Sequence, residues 1–586
     1  MSDNDLFEMI EIDVPKCSRT FGTAPCTAAL GGLTARKCWN LRQHCADIDN
    51  YLEGTPLTLR FCRDAPMPVG TSAFPTLLDA KDQSTSVNIA GQHQNLTPLG
   101  RRATLSVTLG DFTHDDVGVD PYQAERVSGA AQFSGIGYDV AANGTFLKRL
   151  KSRWPQYSGK AIRLVRGYID ASGALTDTTT THYVISEIDG PSDGELQIKA
   201  LDVLDLANEK TALCPKPSPG LLQADIDTVA TSFSITPTGA GASYAASGRL
   251  IIGSEIMGFS RSGDTFTVTR GQRNTQAAAH NSGDTVQQVY SVTGARLDTV
   301  AVDLITNYTT TPSIYLDAAQ QAIWAAEVTR WGAGLVLQTD ITAPTPVATL
   351  LGELGTLGCT IWPDQVAQKM LLRMNRPLDG EVARPVSDDT ALSVENIDRD
   401  SDRLTQVIFY GGRFNPTKSL TDEANYNLAM LTIDPESLAA YGAVRSRTIF
   451  TRWLDNADAT TISIVSNRLL RRFRNAPKTI TIRLDAAEKS VALMDVIDLT
   501  SDELADADGK PLTQKVQVYQ RSEPTPYVDV EVLCQMFDFI GRHGFIMPDG
   551  SPVYGSASQA EKDSGAFIAA DTKPYFPDFS DAYRII

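Results

Sequence analysis

The chain has 586 residues, 42% of them hydrophobic and 21% charged, and carries a net charge of −18 from 52 basic and 70 acidic residues. This length predicts several domains rather than one core, and the acid excess argues against a nucleic-acid binder, which needs a basic stripe. No apolar run reaches the ~18 residues of a membrane span, and the acidic start MSDNDLFEMIEIDVPK lacks the basic and apolar parts of a signal peptide, so neither stable membrane insertion nor export by its own sequence is expected.

The first informative stretch runs from Cys17 to Cys45 and holds Cys17, Cys26, Cys38 and Cys45, half of the chain's 8 cysteines. The gaps are eight, eleven and six residues. The stretch has no long apolar run, and Gly22, Gly31 and Gly32 interrupt any continuous helix. A short, weakly hydrophobic segment folds only with a staple, and four thiolates around a metal supply one. Three readings stay open. Structural zinc fits the count, although zinc pairs are usually spaced more closely. Two disulfides fit the count but not a reducing compartment. A 4Fe–4S cluster takes four cysteines and tolerates wider spacing. Lys16, Arg19, Arg36, Lys37 and Arg42 crowd this stretch, which suits an anionic cluster. His44, beside Cys45, reads as exposed or as a neighbour of the cluster.

From Leu57 the pattern turns to β. PLTLRFC, TSVNIA and ATLSVTLGDF alternate with period two, and strands resume at AIRLVRGYID, HYVISEID and ELQIKALDVL after an expected amphipathic helix in TFLKRLKSRW. Short strands at this spacing predict a barrel or sandwich. CPKPSPG, from Cys214 to Gly220, reads as a boundary. A compact β module follows, with SGRLIIGSEIMGFS and then Arg270-Gly271 through Thr275, Ala278, His280, Gly283 and Val286. Its Arg270 and His280 read as loop holders, not catalysts.

Helices are expected at LDTVAVDLI, at YLDAAQQAIWAAEVTRW with Leu316, Ala319, Ile323, Ala326 and Trp331 on one face, and at VATLLGELGTLGC, opened by Thr345 and Pro346. Strands LVLQTDI, TIWPD and KMLLRMN intervene. The helix ISIVSNRLLRRFRNAP puts Ile462, Val465, Leu469 and Phe473 on one face and ends at Pro477. Its Arg468, Arg471, Arg472 and Arg474 read either as a partner-docking surface or as a solvated face favoured by the helix dipole. Strands return at VIDLTS, QKVQVYQRS and VDVEVLCQMF. The last 45 or so residues are rich in Gly, Pro, Ser and aromatics. Phe567, Tyr575, Phe576, Phe579 and Tyr583 read there as anchors on neighbouring subunits.

The chemistry search finds no Walker loop, His-Glu-x-x-His, nucleophile elbow or Cys-x-x-Cys, so no catalytic residue is expected. His114-Asp115-Asp116 reads as a polar turn rather than a metal site. Cys359 and Cys534 read as small buried hydrophobes, Cys62 as a core residue rather than a spare ligand, and Cys214, before Pro215, as part of a turn.

Four stretches carry a resemblance. The spacing of Cys17, Cys26, Cys38 and Cys45 resembles the iron–sulfur segment of tail-tip proteins of long, flexible-tailed phages of the lambda kind, with a shorter middle gap. Residues 270–286 resemble a small β module recurrent in phage tail proteins. The α/β segment around Thr345 and Pro346 resembles the middle of phage hub proteins. Residues 399–485 resemble the second barrel of tail-hub proteins of flexible-tailed phages and gene-transfer agents.

The resemblance implies an α+β, mainly β protein, with two barrel-like hub domains, an inserted β module, an α/β domain and an N-terminal cluster segment. The divisions expected are 1–75 for the cysteine-rich segment, 76–214 for the first hub domain and 221–292 for the module. The α/β domain then covers 293–390, the second hub domain 391–540 and the interface tail 541–586. It further implies a structural virion protein at the tail tip or baseplate, assembled in the host cytoplasm. A 4Fe–4S cluster is held by Cys17, Cys26, Cys38 and Cys45, with structural zinc as the alternative. The implied state is a homotrimer. The implied partners are the distal tail protein, the tape-measure protein and a central fibre or receptor-binding protein. DNA passes through without specific binding, along a wall expected to be acidic or neutral. The rival readings are a tail-associated cell-wall hydrolase and a redox iron–sulfur protein.

Overall fold

The structure is a computed structural model that describes residues 5–28, 38–63, 66–91, 97–120, 144–332, 335–378, 380–398, 402–455, 459–475, 478–506, 508–525, 528–537, 543–544 and 584–585. Gly31, Gly32, Arg36, Lys37, Pro477 and the aromatic anchors of the C-terminal tail lie outside these residues. The fold is α+β and mainly β, as expected.

The first sheet contains β1 (Asp5–Val14), β2 (Leu57–Cys62), β3 (Leu77–Gln83), β4 (Thr104–Gly110), β5 (Ala161–Ile169), β6 (Leu175–Ser192) and β7 (Glu195–Leu201). Their order is β2-β1-β5-β6-β7-β4-β3. The two ends meet. Just before β3, Phe74 donates its amide to the Arg60 carbonyl at 2.8 Å and accepts from the Cys62 amide at 2.9 Å. Alternation sorts the side chains. Ile10, Ile12, Val14, Phe61, Leu105, Val107, Leu109, Ile162 and Leu164 form one core, which the expected helix, α1 (Phe146–Arg153), joins through Phe146 and Leu147. On the opposite face Arg163 holds Glu11 at 2.7 Å and Asp13 at 2.6 Å.

β8 (Leu213–Cys214) leads into the module, made of β9 (Leu221–Leu222), β10 (Ser232–Thr236), β11 (Ser247–Ile252), β12 (Glu255–Ser262), β13 (Thr265–Gln272) and β14 (Gln287–Gln288). The order β14-β11-β12-β13-β10-β9 again brings its ends together, through the Leu222 amide on the Asp284 carbonyl at 2.8 Å. This module has its own core, centred on Leu250, Met257 and Phe266.

The α/β segment follows as β15 (Tyr290–Arg296), α2 (Leu297–Tyr308), α3 (Ala318–Trp331), β16 (Val336–Ile341), β17 (Thr345–Pro346), α4 (Val347–Gly355), β18 (Cys359–Asp364) and β19 (Lys369–Met374). β17 pairs with β8, Thr345 opposite Cys214, so the chain is stitched together across the module. Asp317 caps α3 through the Gln320 amide at 2.8 Å. The buried stripe of α3 is Gln320, Trp324 and Val328, and Ile323 is 58% exposed, so the expected Leu316–Trp331 face is corrected. Trp324 decides the rotation. It is fully buried and donates its indole N–H to the Met370 carbonyl at 3.0 Å.

The last part contains β20 (Arg384–Ser387), β21 (Ala391–Asp398), β22 (Gln406–Arg413), β23 (Tyr426–Ile433), α5 (Pro435–Tyr441), β24 (Ser446–Phe450), α6 (Ala459–Phe473), β25 (Lys478–Asp485), β26 (Val496–Ala505), β27 (Pro511–Thr525) and β28 (Asp529–Met536). Six of these strands form a sheet in the order β20-β26-β27-β28-β25-β21, and β23-β22-β24 form a second. In the tail, β29 (His543–Gly544) and β30 (Arg584–Ile585) pair in parallel. Helix α6 buries Ile462, Val465, Leu469 and Phe473 as its period predicts. Three of its arginines, Arg468, Arg472 and Arg474, bond within the fold rather than forming a solvated face. Arg472 is buried, donates to Gln517 at 2.9 Å and lies 4.5 Å from the Phe537 ring. Arg468 donates to the Trp331 carbonyl, and Arg474 pairs with Asp434 at 3.3 Å. Among the described residues no helix is long and apolar enough to cross a membrane.

Three parts of the chain meet at two buried carboxylates. Asp340, at the end of β16, takes Arg249 of the module at 2.8 Å and Arg273 at 2.9 Å. Asp455 pairs with the same Arg273 and with Arg413 of β22 at 3.5 Å. Removing one partner from such a buried set costs about 3–5 kcal/mol. Asp340→Asn is therefore expected to loosen the module without unfolding it. Limited proteolysis should cut faster around residues 214–220 while the module fragment survives, and an unchanged cleavage pattern would reject this account.

Candidate functional site

The cysteine segment is an excursion between adjacent strands. It leaves after Val14 and returns at Leu57, and these two residues are paired neighbours of β1 and β2. Its base is tied by backbone bonds from the Cys17 amide to the Asn40 carbonyl, from Ser18 to Leu52 and from Gly54 to Lys16, each 2.8 Å. Side chains dock it on the far end of α1. Arg153 lies over the Trp39 ring at 3.7 Å and pairs with Asp116 at 2.7 Å. Gln43 donates to the Arg153 carbonyl at 2.6 Å. Trp39 and Arg153 escaped the sequence reading because a lone Trp and a lone Arg over 100 residues apart form no motif.

Cys17, Cys26, Cys38 and Cys45 are all partly exposed, whereas Cys62, Cys214, Cys359 and Cys534 are buried. The Arg19 amide donates to Cys17 Sγ at 3.4 Å. Burial pushes the Cys45 thiol up, and the charges of Cys17 and Cys26 add to this, against the Asp47 amide. Tyr51 is pushed up to about 12 by burial first and then by Glu53, Cys17 and Cys45; Arg42 sits 5.9 Å from its ring. Among the described residues no three His, Cys, Asp or Glu side chains converge closely enough to hold a single metal ion.

His114 and Asp116 form the expected polar turn. The Asp116 amide donates to His114 Nδ1 at 2.9 Å, and the Asp116 carboxylate takes Arg149 and Arg153.

In the module, Arg270 and His280 converge on Glu255, which is fully buried. Arg270 makes a two-pronged bond at 2.8 and 2.7 Å, and His280 Nε2 lies at 2.9 Å. The Ala278 amide donates at 2.9 Å. Gly271 donates at 3.0 Å, from a left-handed backbone with φ of 62°. All of these partners stabilise the ionised form, and none leaves a free nucleophile or acid, so the cluster closes a loop. Glu255 was missed because its partners lie 15 to 25 residues away.

No family model and no curated protein matches the chain. Among solved structures it is similar to a tail protein from Neisseria meningitidis MC58, at 11% identity over 77% of this chain and 96% of that one, with a TM-score of 0.33. It is also similar to prophage tail protein gp18 from Listeria monocytogenes EGD-e, at 9% identity over 65% and 86%, with a TM-score of 0.29. A third likeness is to the virion of a native gene transfer agent particle, at 13% identity over 57% and 92%, also with a TM-score of 0.29. Likeness at this level defines no function.

Burial pushes the Glu255 carboxyl up, but Arg270, the Ala278 amide, His280 and the Gly271 amide outweigh it and hold the group at about 2, against an ordinary 4.5. The unfolded chain takes up its proton at the higher pH. The stabilisation, about 3 kcal/mol, is thus full above pH 4.5 and is lost as pH falls to about 2. Acid titration of the isolated transition of the module should show this loss, and Glu255→Gln should abolish its pH dependence in that window. A variant that melts with the same acid profile as the parent would reject the assignment.

Proposed function

We propose that the chain is a structural protein of a phage tail, the central hub of its tip or baseplate. In this role it joins the end of the tail tube to the tape-measure protein, the distal tail protein and a central fibre or receptor-binding part. As a homotrimer it leaves an axial path for DNA, which passes without specific binding. The observation that carries the reading is the pair of large β-sheets, one before and one after the α/β segment, with a self-closing module inserted between them. That is the layout the sequence resemblance implies for a hub. The alternative reading is a tail-associated cell-wall hydrolase.

The four cysteines Cys17, Cys26, Cys38 and Cys45 would hold a 4Fe–4S cluster, whose chemistry is electron storage or cross-linking of the segment. The donor set supports this. Cys17, Cys26, Cys38 and Cys45 are all partly exposed, whereas the other four cysteines are buried. The Arg19 amide donates to Cys17 Sγ, and hydrogen bonds of this kind tune the potential of a bound cluster. Trp39 and Gln43 hold the segment against the barrel, so the staple has a fixed base.

Anaerobically purified protein should contain iron and sulfide in equal amounts, and Cys26→Ser should lose the brown absorbance. Zinc without sulfide would reject the cluster. Negative-stain images should show threefold rings, and labelled antibody should decorate the tail tip of intact particles. A monomer at all concentrations, or clearing of cell-wall gels that depends on one carboxylate, would overturn the hub reading.

A further inference from the structure

We propose that the cleft between the first barrel and the last six-stranded sheet binds a neutral saccharide. The inference stands apart from the tail reading. The cleft measures about 440 Å³, within the roughly 300–1,000 Å³ usual for small-molecule sites. Three parts of the chain build it. β6 contributes Thr179, Thr181 and Tyr183, which share one face by strand alternation. The β18–β19 hairpin contributes Trp362, Asp364 and Gln365. The segment 489–493, with Arg521 and Glu523 of β27, forms the third wall.

These walls are already locked. The His182 amide donates to the Gln365 carbonyl at 3.1 Å, and the Val87 amide to the Tyr519 carbonyl at 2.7 Å. A preformed site spends little free energy on ordering when a ligand arrives.

The charge chemistry selects the ligand class. Three cations line the cleft, Arg166, Lys489 and Arg521, and three anions, Asp82, Asp364 and Glu523. Each cation is matched inside the protein. Arg166 pairs with Glu8 at 3.0 Å and Asp82 at 2.9 Å. Lys489 pairs with Asp177. Arg521 pairs with Glu523 at 2.6 Å and donates to the Val491 carbonyl at 2.8 Å. A phosphate or other anion would have to break these pairs. What the cleft offers instead is hydroxyls, from Ser84, Thr179 and Thr181, and the Gln365 amide, beside an apolar wall of Val366, Leu371 and Leu493, with the buried rings of Tyr183 and Trp362 behind it. Such a surface suits a ligand with many hydroxyls, no net charge and one apolar face, which describes a pyranose.

The test is calorimetric titration of the full chain with diacetylchitobiose and cellobiose, and with glucuronate as the anionic arm. At least one neutral disaccharide should saturate in the millimolar range or tighter, and glucuronate should not. Val366 is 57% exposed at the mouth, so Val366→Trp should plug the cleft, leave the melting curve unchanged and weaken binding about tenfold or more. Thr181→Val, which removes a hydroxyl at constant shape, should weaken it as well and serves if the tryptophan perturbs folding. No saturation by either disaccharide, tighter binding of glucuronate, or binding indifferent to both substitutions would each overturn the proposal.

Discussion

The junction at Asp340 and Asp455 is the constraint on which the rest of the arrangement depends. Both carboxylates are out of solvent, at 2% and 0% exposure. Taking a carboxylate out of water costs several kcal/mol unless cations and hydrogen bonds meet it. Here the cations come from two separate parts of the chain. Arg249 and Arg273 belong to the module, and Arg413 belongs to β22. Ser291 adds a hydroxyl to Asp340 at 2.5 Å. Neither part can leave without stranding charge, so the module is held at one orientation on the frame. Burial still pushes Asp455 up to about 6, with Arg413 and Arg273 opposing.

Closure of sheets is the second organising device. The first sheet and the module each bring their ends together through a few backbone bonds just outside the terminal strands. Curling the sheet so that its two ends meet leaves less open edge on which another chain could add a strand. Closure also gives the cysteine segment its setting. Because β1 and β2 are neighbours, the excursion between them starts and ends at one point of the barrel rim. The excursion also sends Leu41 into the core of the first sheet, so any staple within it bears on that core.

The buried arginines show why charge was misleading when read one helix at a time. The side chains of Arg468, Arg472 and Arg474 reach a carbonyl, a glutamine, an aromatic ring and an aspartate of other elements. A guanidinium has five donors on a planar, weakly hydrated group, so it serves well as a bridge inside a fold. The basic stripe of α6 is internal cement between the helix and the strands and helices beside it.

The sequence by itself determined the kinds of element and much of their placement. Period-two alternation found β2, β4, β5, β6 and β7 of the first sheet and β26, β27 and β28 of the last, but not β1, β3, β20 or β21, and TSVNIA, read as a strand, ends in a 3-10 turn. Helical spacing found α1, α2, α3, α4 and α6, and CPKPSPG marked the entry to the module. It also identified Arg270 and His280 as loop holders, and Cys62, Cys359 and Cys534 as core residues, while Cys214, read as part of a turn, proves fully buried. These features are local, written in residues that are near one another along the chain. Tertiary structure alone decided the rest. It paired β1 with β5, more than 150 residues on, and brought Glu255 under Arg270. It docked Trp39 on Arg153, and it turned α3 so that Trp324, not Ile323, faces the core. The physical reason is the same in each case. Periodicity shows that a helix or strand has an apolar side, but which neighbour covers it, and which charge finds which partner, depends on contacts between residues far apart in the chain.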